Sequence, residues 1–232
     1  MDSVSILLDR LAGGLIVSCQ ARAGHPLRDP HVIAAMAKAA EAGGAVGVRI
    51  NGEQDIRAVR QVVVSPIIGL RKVWVQDSSV YITPTFEDAA AIAEAGADII
   101  ALDATARPRP GGQGLKDLIA RIRNKLSRPV LADVATLEEG QRAVALGADM
   151  VATTLSGYTG TAPPPEGPDL ELVRQLSRAL SVPVLAEGRY STPDQVREAF
   201  RAGAFAVVVG RAITDPLMLT QNFVEATKRH RS

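Results

Sequence analysis

The chain has 232 residues, 47% of them hydrophobic, with 26 Lys plus Arg against 25 Asp plus Glu and 3% aromatic residues. That length suits one domain, residues 1–232, with a sizeable core, close to the ~250 residues usual for a single α/β barrel. A net charge of +1 supplies no overall field for nucleic acid or an anionic membrane surface, and scarce aromatics argue against base stacking, so any anion preference must be local.

The first predicted element is a short amphipathic helix near the start, with Ile6, Leu7 and Leu11 on one face; such a helix can plug the closed bottom of a barrel. It carries acidic residues and no apolar core of signal-peptide length. No later run reaches membrane-spanning length, so no membrane partner and a cytoplasmic location are expected. The single Cys19 excludes an intrachain disulfide framework and fits a reducing compartment. It reads as a small buried residue beside the first strand.

Eight short apolar runs then follow in order, several of them stopping at a lone polar or charged residue. They are 15–18 before Gln20, 45–48 before Arg49, 66–70 before Lys72, and 99–102 before Asp103. The rest are 129–132 before Asp133, 150–152 before Thr153 and Thr154, 183–186 before Glu187, and 206–209 before Gly210 and Arg211. Short β-branched runs bounded by Gly, Pro and charge, with helical stretches between, are expected of parallel strands buried on both faces. A repeat supports the count: an Ala-rich helix end, a Gly and an apolar strand recur at Gly43, Gly96, Gly147 and Gly203, spaced 53, 51 and 56 residues apart. Gly there suits the left-handed closing residue of a helix. Pro66, Pro129 and Pro183 open the intervening strands, where a missing donor costs least. Eight units without a dinucleotide glycine fingerprint favour a TIM (β/α)8 barrel over an open, flavodoxin-like sheet. Thr85, Thr136, Thr192 and Asp215 each precede a helical pattern and read as caps. Two loops are long, 106–114 and 156–169, and the second, with three consecutive prolines, is either a lid or a stiff surface loop.

In a parallel barrel the active site lies at the C-terminal strand ends. His25 and His31 fall in the first loop and helix start and His230 in the basic tail, so no metal is expected, because metal-dependent barrels usually place His and carboxylates at strand ends. Lys72 is the best acid/base candidate. Partial desolvation beside Arg49 would draw its pKa toward neutrality, although a rim ion pair with Glu187 or Asp133 is nearly as good a reading. Glu187 can position Lys72, hold a hydroxyl or act as a second base. Asp133 is similar but less distinctive, and Asp103 suits a turn cap. Gly188 with Arg189 and Gly210 with Arg211 occupy the two strand ends where many barrels hold phosphate. Glycine there admits the backbone, N–H groups face the anion, and a helix start adds a favourable dipole.

These residues together resemble the bacterial N-acetylmannosamine-6-phosphate 2-epimerases. The likeness runs through Leu15-Ile-Val-Ser-Cys-Gln20, Gly43-Gly-Ala-Val-Gly-Val-Arg49, Pro66-Ile-Ile-Gly-Leu-Arg-Lys72, Val80-Tyr-Ile-Thr-Pro-Thr85, Ile100-Ala-Leu-Asp-Ala-Thr105, Thr153-Thr-Leu-Ser-Gly-Tyr158 and Ala186-Glu-Gly-Arg189. The resemblance implies inversion at C2 of N-acetylmannosamine 6-phosphate to give N-acetylglucosamine 6-phosphate, in sialic acid and amino-sugar catabolism, without a redox cofactor. It implies Lys72 as the acid/base with Glu187 beside it. Gln20, Arg49 and Asp133 would hold the open-chain sugar with Thr154 nearby, Gly188, Arg189, Gly210 and Arg211 would hold the phosphate, and the assembly would be a homodimer.

Three positions depart from the family pattern. An arginine usual just after Ala-Ile-Thr is Asp215 here while Arg211 follows Gly210, so the phosphate arginine is expected one helical turn earlier with Asp215 as a cap. Val73-Trp-Val-Gln76 replaces polar sequence after the lysine, and Ala106 replaces a polar residue. A Schiff-base lyase built on Lys72, or a sugar-phosphate-binding protein without turnover, remains an alternative.

Overall fold

A computed structural model of the chain describes residues 3–160 and 165–228. Eight parallel strands, β1 (Leu15–Cys19), β2 (Gly47–Asn51), β3 (Ile67–Leu70), β4 (Ile99–Asp103), β5 (Val130–Asp133), β6 (Met150–Ala152), β7 (Val184–Glu187) and β8 (Ala206–Val209), pair in sequence order, and β8 closes onto β1. The expected (β/α)8 barrel is therefore the fold. Helix α1 (Ser3–Leu11) precedes it, and α2 (Pro30–Ala42), α3 (Glu53–Arg60), α4 (Phe86–Glu94), α5 (Leu115–Arg121), α6 (Leu137–Ala145), α7 (Leu170–Ala179) and α8 (Pro193–Arg201) alternate with the strands. A single turn, α9 (Arg211–Thr214), and a longer α10 (Pro216–Lys228) follow β8.

Side chains alternate between the two faces of each strand. Inward positions such as Ile16, Ile68, Ile99, Leu131, Met150 and Leu185 fill the barrel, while outward ones such as Val48, Ile67 and Ile100 pack under Ile33, Ile56, Ile92 and Leu118 of the helices. Leu11 closes the floor, fully buried, with Leu7 and Leu8 packed beside it. Ile6, expected on that face, is 52% exposed instead. At 100° per residue it lies about 140° around the helix from Leu11, whereas Leu7 and Leu8 stand one turn away on the same side. Gly47 makes room for the plug, since a Cβ there would meet Leu11 Cδ2 at 2.9 Å.

The expected caps form. Thr85 with Asp88 and Thr192 with Gln195 make reciprocal capping boxes, Thr136 accepts from the Glu139 N–H, and Asp215 Oδ1 accepts from the Met218 N–H at 3.0 Å. Gly96, Gly147 and Gly203 are left-handed as expected, at φ 109°, 100° and 101°, but in the first repeat that residue is Gly44 at φ 94°, not Gly43. Each strand starts three residues past its left-handed glycine, so β2, counted from Gly44, starts at Gly47, and Arg49 sits inside the strand, paired with Ser18 and Ile68, rather than after its end.

The flanks of the 156–169 loop are tied together by Ser156 Oγ, which donates to Asp169 Oδ2 at 2.6 Å; residues 161–164 lie outside the described residues, as does His230. Helix α10 turns away from the barrel, leaving Leu217, Phe223 and Val224 exposed. Beside it a cavity of about 300 Å³ lies open along β1, α2 and α9, lined by Leu15, Val17, Met36, Ala39, Ala40 and Ile213. Among the described residues no helix is long and apolar enough to cross a membrane. Cys19 is buried with a free thiol whose pKa burial pushes up to about 12.

Candidate active site

Inward parity carries past the apolar layers to the open rim, where Gln20, Asn51, Lys72, Asp103, Asp133, Thr154, Glu187 and Gly210 end their strands. Arg49 lies one layer lower and forms the floor, 1% exposed. Its Nη1 donates to Asp133 Oδ1 at 3.1 Å, to Thr154 Oγ1 at 3.1 Å and to Glu187 Oε2, and its Nη2 donates to Asp133 Oδ2 at 2.5 Å. Thr154 Oγ1 in turn donates to Asp133 Oδ1 at 2.6 Å. Four residues expected at the site from separate strands are thus one hydrogen-bonded unit. Burial alone would lower the Arg49 pKa, but Asp133 and Glu187 outweigh it and hold the guanidinium charged.

Glu187 ends β7, and its backbone is locked by Thr153. The Glu187 N–H donates to Thr153 Oγ1 at 3.0 Å, and the Thr153 hydroxyl donates to Glu187 O at 2.8 Å. Burial raises the Glu187 pKa against the pull of Arg49, and Asp133 adds to the rise. Lys72 follows β3, its N–H donating to Asn51 Oδ1 at 2.8 Å. Burial lowers the Lys72 pKa and Arg49 lowers it further, against Glu187 and Asp133. Among the described residues no carboxylate reaches ion-pairing distance of its ammonium; Glu187 and Asp133 are both paired with Arg49 instead. The rim ion pair that competed with an acid/base reading of Lys72 is therefore absent from this arrangement. An acid and a base with pKa values displaced toward each other is the arrangement proton transfer needs.

Other expected residues divide. Gln20 Nε2 donates to Ser18 Oγ at 2.9 Å, and its Oε1 is buried without a partner. Asp103 serves its own loop, accepting from Thr105 N–H and Oγ1 and from Arg107 Nη2 at 2.6 Å. Gly188 is left-handed at φ 117° and Arg189 follows at φ 60°. Arg189 turns toward the 156–169 loop, where Nε donates to Gly167 O and Nη1 to Ser156 O, both at 2.5 Å; only Nη2 stays buried and unpartnered. Arg211 opens α9 beside Gly210, exposed, with Asp215 turned away into the cap of α10 and against His25 Nε2 at 3.3 Å. Among the described residues no three His, Cys, Asp or Glu side chains are grouped to hold a metal.

Asn51 and Tyr81 were not found by looking for the first polar residue after each apolar run, which marked Thr153 but not its lock on the Glu187 backbone. Parity would have found Asn51, two residues past Arg49. Tyr81 stands on a return strand outside any run, so no such signal marks it.

Fold and site together define a (β/α)8 barrel whose open rim carries Lys72 beside a buried guanidinium–carboxylate floor. The chain belongs to the putative N-acetylmannosamine-6-phosphate epimerase family, whose model matches residues 33–229. It is 54% identical over 222 residues to the putative N-acetylmannosamine-6-phosphate 2-epimerase of Thermosynechococcus vestitus, covering 96% of each chain. The protein of the same description from Caldanaerobacter subterraneus subsp. tengcongensis is 49% identical over 226 residues, covering 97% of this chain and 95% of that one. The solved structure of the N-acetylmannosamine-6-phosphate 2-epimerase from Clostridium perfringens superposes with a TM-score of 0.91 at 42% identity, over 95% of this chain and 96% of that one.

Proposed function

We propose that this chain inverts C2 of N-acetylmannosamine 6-phosphate to give N-acetylglucosamine 6-phosphate, as an isomerase of sialic acid catabolism. The observation that carries this reading is the Lys72 ammonium, partly buried beside Arg49 with its pKa lowered and no carboxylate bonded to it. In the open-chain sugar the C2 hydrogen is acidic because C1 is an aldehyde. Neutral Lys72 takes that proton, the C2–H electron pair moves into a C1–C2 double bond, and O1 takes the negative charge. Return of a proton to the opposite face of C2 gives the epimer. Glu187 works beside Lys72; Gln20, Arg49, Asp133 and Thr154 line the floor on which the open chain lies, and the positive charge of Arg49 favours the enolate. Gly188, Gly210, the remaining Nη2 of Arg189 and the exposed Arg211 receive the phosphate.

Proton NMR of N-acetylmannosamine 6-phosphate in deuterium oxide tests the reaction. The expected product is the C2 epimer carrying deuterium at C2; silence from the folded wild type, or undiminished turnover in Lys72→Ala, would overturn it. An imine mechanism on the same lysine is distinguished by borohydride, which traps an adduct only with a Schiff base. Arg211→Ala is expected to raise KM for the phosphosugar, and an unchanged KM would remove Arg211 from the phosphate site.

We also propose a homodimer in the cytoplasm. The location rests on the phosphorylated substrate and the single reduced thiol. The assembly is supported by α10, whose exposed Leu217, Phe223 and Val224 match in character the apolar cavity left open along β1 and α2; α10 of a second copy is the occupant. Light scattering is expected to give twice the chain mass for the intact protein and the chain mass when residues 216–232 are deleted. A monomeric intact protein would refute the dimer.

A further inference from the structure

Beyond β3 the chain enters a hairpin over residues 71–83. Lys72 bridges Ile82, the Val73 N–H donates to Tyr81 O at 2.9 Å, and the Thr83 N–H donates to Arg71 O at 2.7 Å. The Thr83 hydroxyl fastens the returning strand to Ala101 O at 2.6 Å. On this hairpin the chain's one tryptophan, Trp74, stacks on Tyr81 with ring centroids 5.7 Å apart and planes 4° from parallel. Trp74 is 72% exposed, two residues from Lys72 at the barrel mouth.

The inner ring of the pair belongs to the barrel mouth. Tyr81 packs against the apolar interior set that includes Leu70, Ile82 and Leu155. Burial raises its hydroxyl pKa, and the carboxylates of Asp133 and Asp103 raise it further against Arg107 and Arg49, so the ring stands in the field of the floor. Its hydroxyl makes no hydrogen bond to a described residue. That floor consists of Arg49, Asp133, Glu187 and Thr154, which offer polar groups to a sugar's hydroxyls and nothing to a methyl group.

We propose that Tyr81 and Trp74 form a wall that covers the C–H face and acetamido methyl of an N-acetylhexosamine phosphate, and so strengthen this chain's hold on the acetylated sugar. The inference deepens the epimerase reading and rests on it. Aromatic rings suit this work because their faces cover weakly polar C–H groups at little conformational cost, while the free Tyr81 hydroxyl remains available to the ligand. It also gives a use to the replacement of polar sequence by Val73-Trp-Val-Gln76.

The sole tryptophan makes the test direct. Lys72→Ala is titrated with N-acetylmannosamine 6-phosphate while heat and tryptophan emission are followed together. The emission change is expected to saturate with the heat; heat that saturates with emission unmoved overturns the wall and leaves the epimerase reading standing. An emission that follows protein concentration rather than sugar assigns the rings to a subunit contact and also overturns it. Absence of both heat and wild-type turnover removes the epimerase reading, and this inference with it. In steady-state assays Trp74→Ala should raise KM by roughly three- to tenfold with a smaller effect on kcat, and Trp74→Phe should recover most of the loss; an unchanged KM in Trp74→Ala is the contrary result.

Discussion

Lys72 combines the two conditions that make a lysine useful as a base: an environment that disfavours its charge and no anion bonded to it. The same conditions cost stability, because the partly desolvated ammonium is better solvated in the unfolded chain. Lys72→Met is therefore expected to abolish turnover and yet stabilise the fold by about 1 kcal/mol, roughly 2–4 °C in Tm for a chain of this size, read by calorimetry. A lower Tm would mean that the lysine holds the rim together. Arg49 has the opposite balance. Arg49→Met leaves the buried carboxylates of Asp133 and Glu187 unpaired, at a cost of about 3–5 kcal/mol, measurable by urea unfolding. Both carboxylates favour charged Lys72 and Arg49 opposes it, so without Arg49 the Lys72 pKa rises and the rising limb of kcat/KM moves to higher pH. Movement to lower pH would contradict that sign. Lys72, Glu187 and Asp133 were legible because each stands at the end of an apolar run, Glu187 and Asp133 directly after it and Lys72 one residue on, past Arg71. The depth of Arg49 was not, since β2 runs over Gly47–Asn51 rather than 45–48 and so holds Arg49 within it.

Among the elements, α1 separates stability from chemistry. It seals the end of the barrel opposite the rim, with Leu11 under the lowest layer of side chains. Leu11→Ala is expected to cost about 2–5 kcal/mol while KM for the phosphosugar stays unchanged; an altered KM would show that the floor layer communicates with the rim. Caps and strands were readable because each depends on a few neighbouring residues: a hydroxyl or carboxylate before a helix, a β-branched run before a charge. Ile6 leaves the plug face because about 140° of helix separates it from Leu11, and the Tyr81–Trp74 stack has no sequence signal because it forms across a hairpin that no apolar run announces.

For the whole molecule, near-neutral charge means that substrate is captured by local groups rather than drawn in by a broad field. The wild-type kcat/KM is expected to change by no more than about threefold between 0.05 and 0.3 M salt; a steeper loss would point to long-range steering. The closed order of the strands followed from their number and their parallel character. The departure of α10 did not, because amphipathic pattern identifies a helix and says nothing of whether its apolar face turns back to its own barrel.

Cys19 has a practical consequence. Its thiol is sealed behind β1, and burial pushes its pKa up to about 12, so near neutral pH almost no thiolate is available to a maleimide or a nitroxide reagent. The natural chain thus already serves as an unreactive background for site-directed labelling. A cysteine placed at Phe223, exposed on α10, would carry the only responsive probe, and pulsed distance measurements on it would report where that helix settles without any prior mutation to remove native thiols.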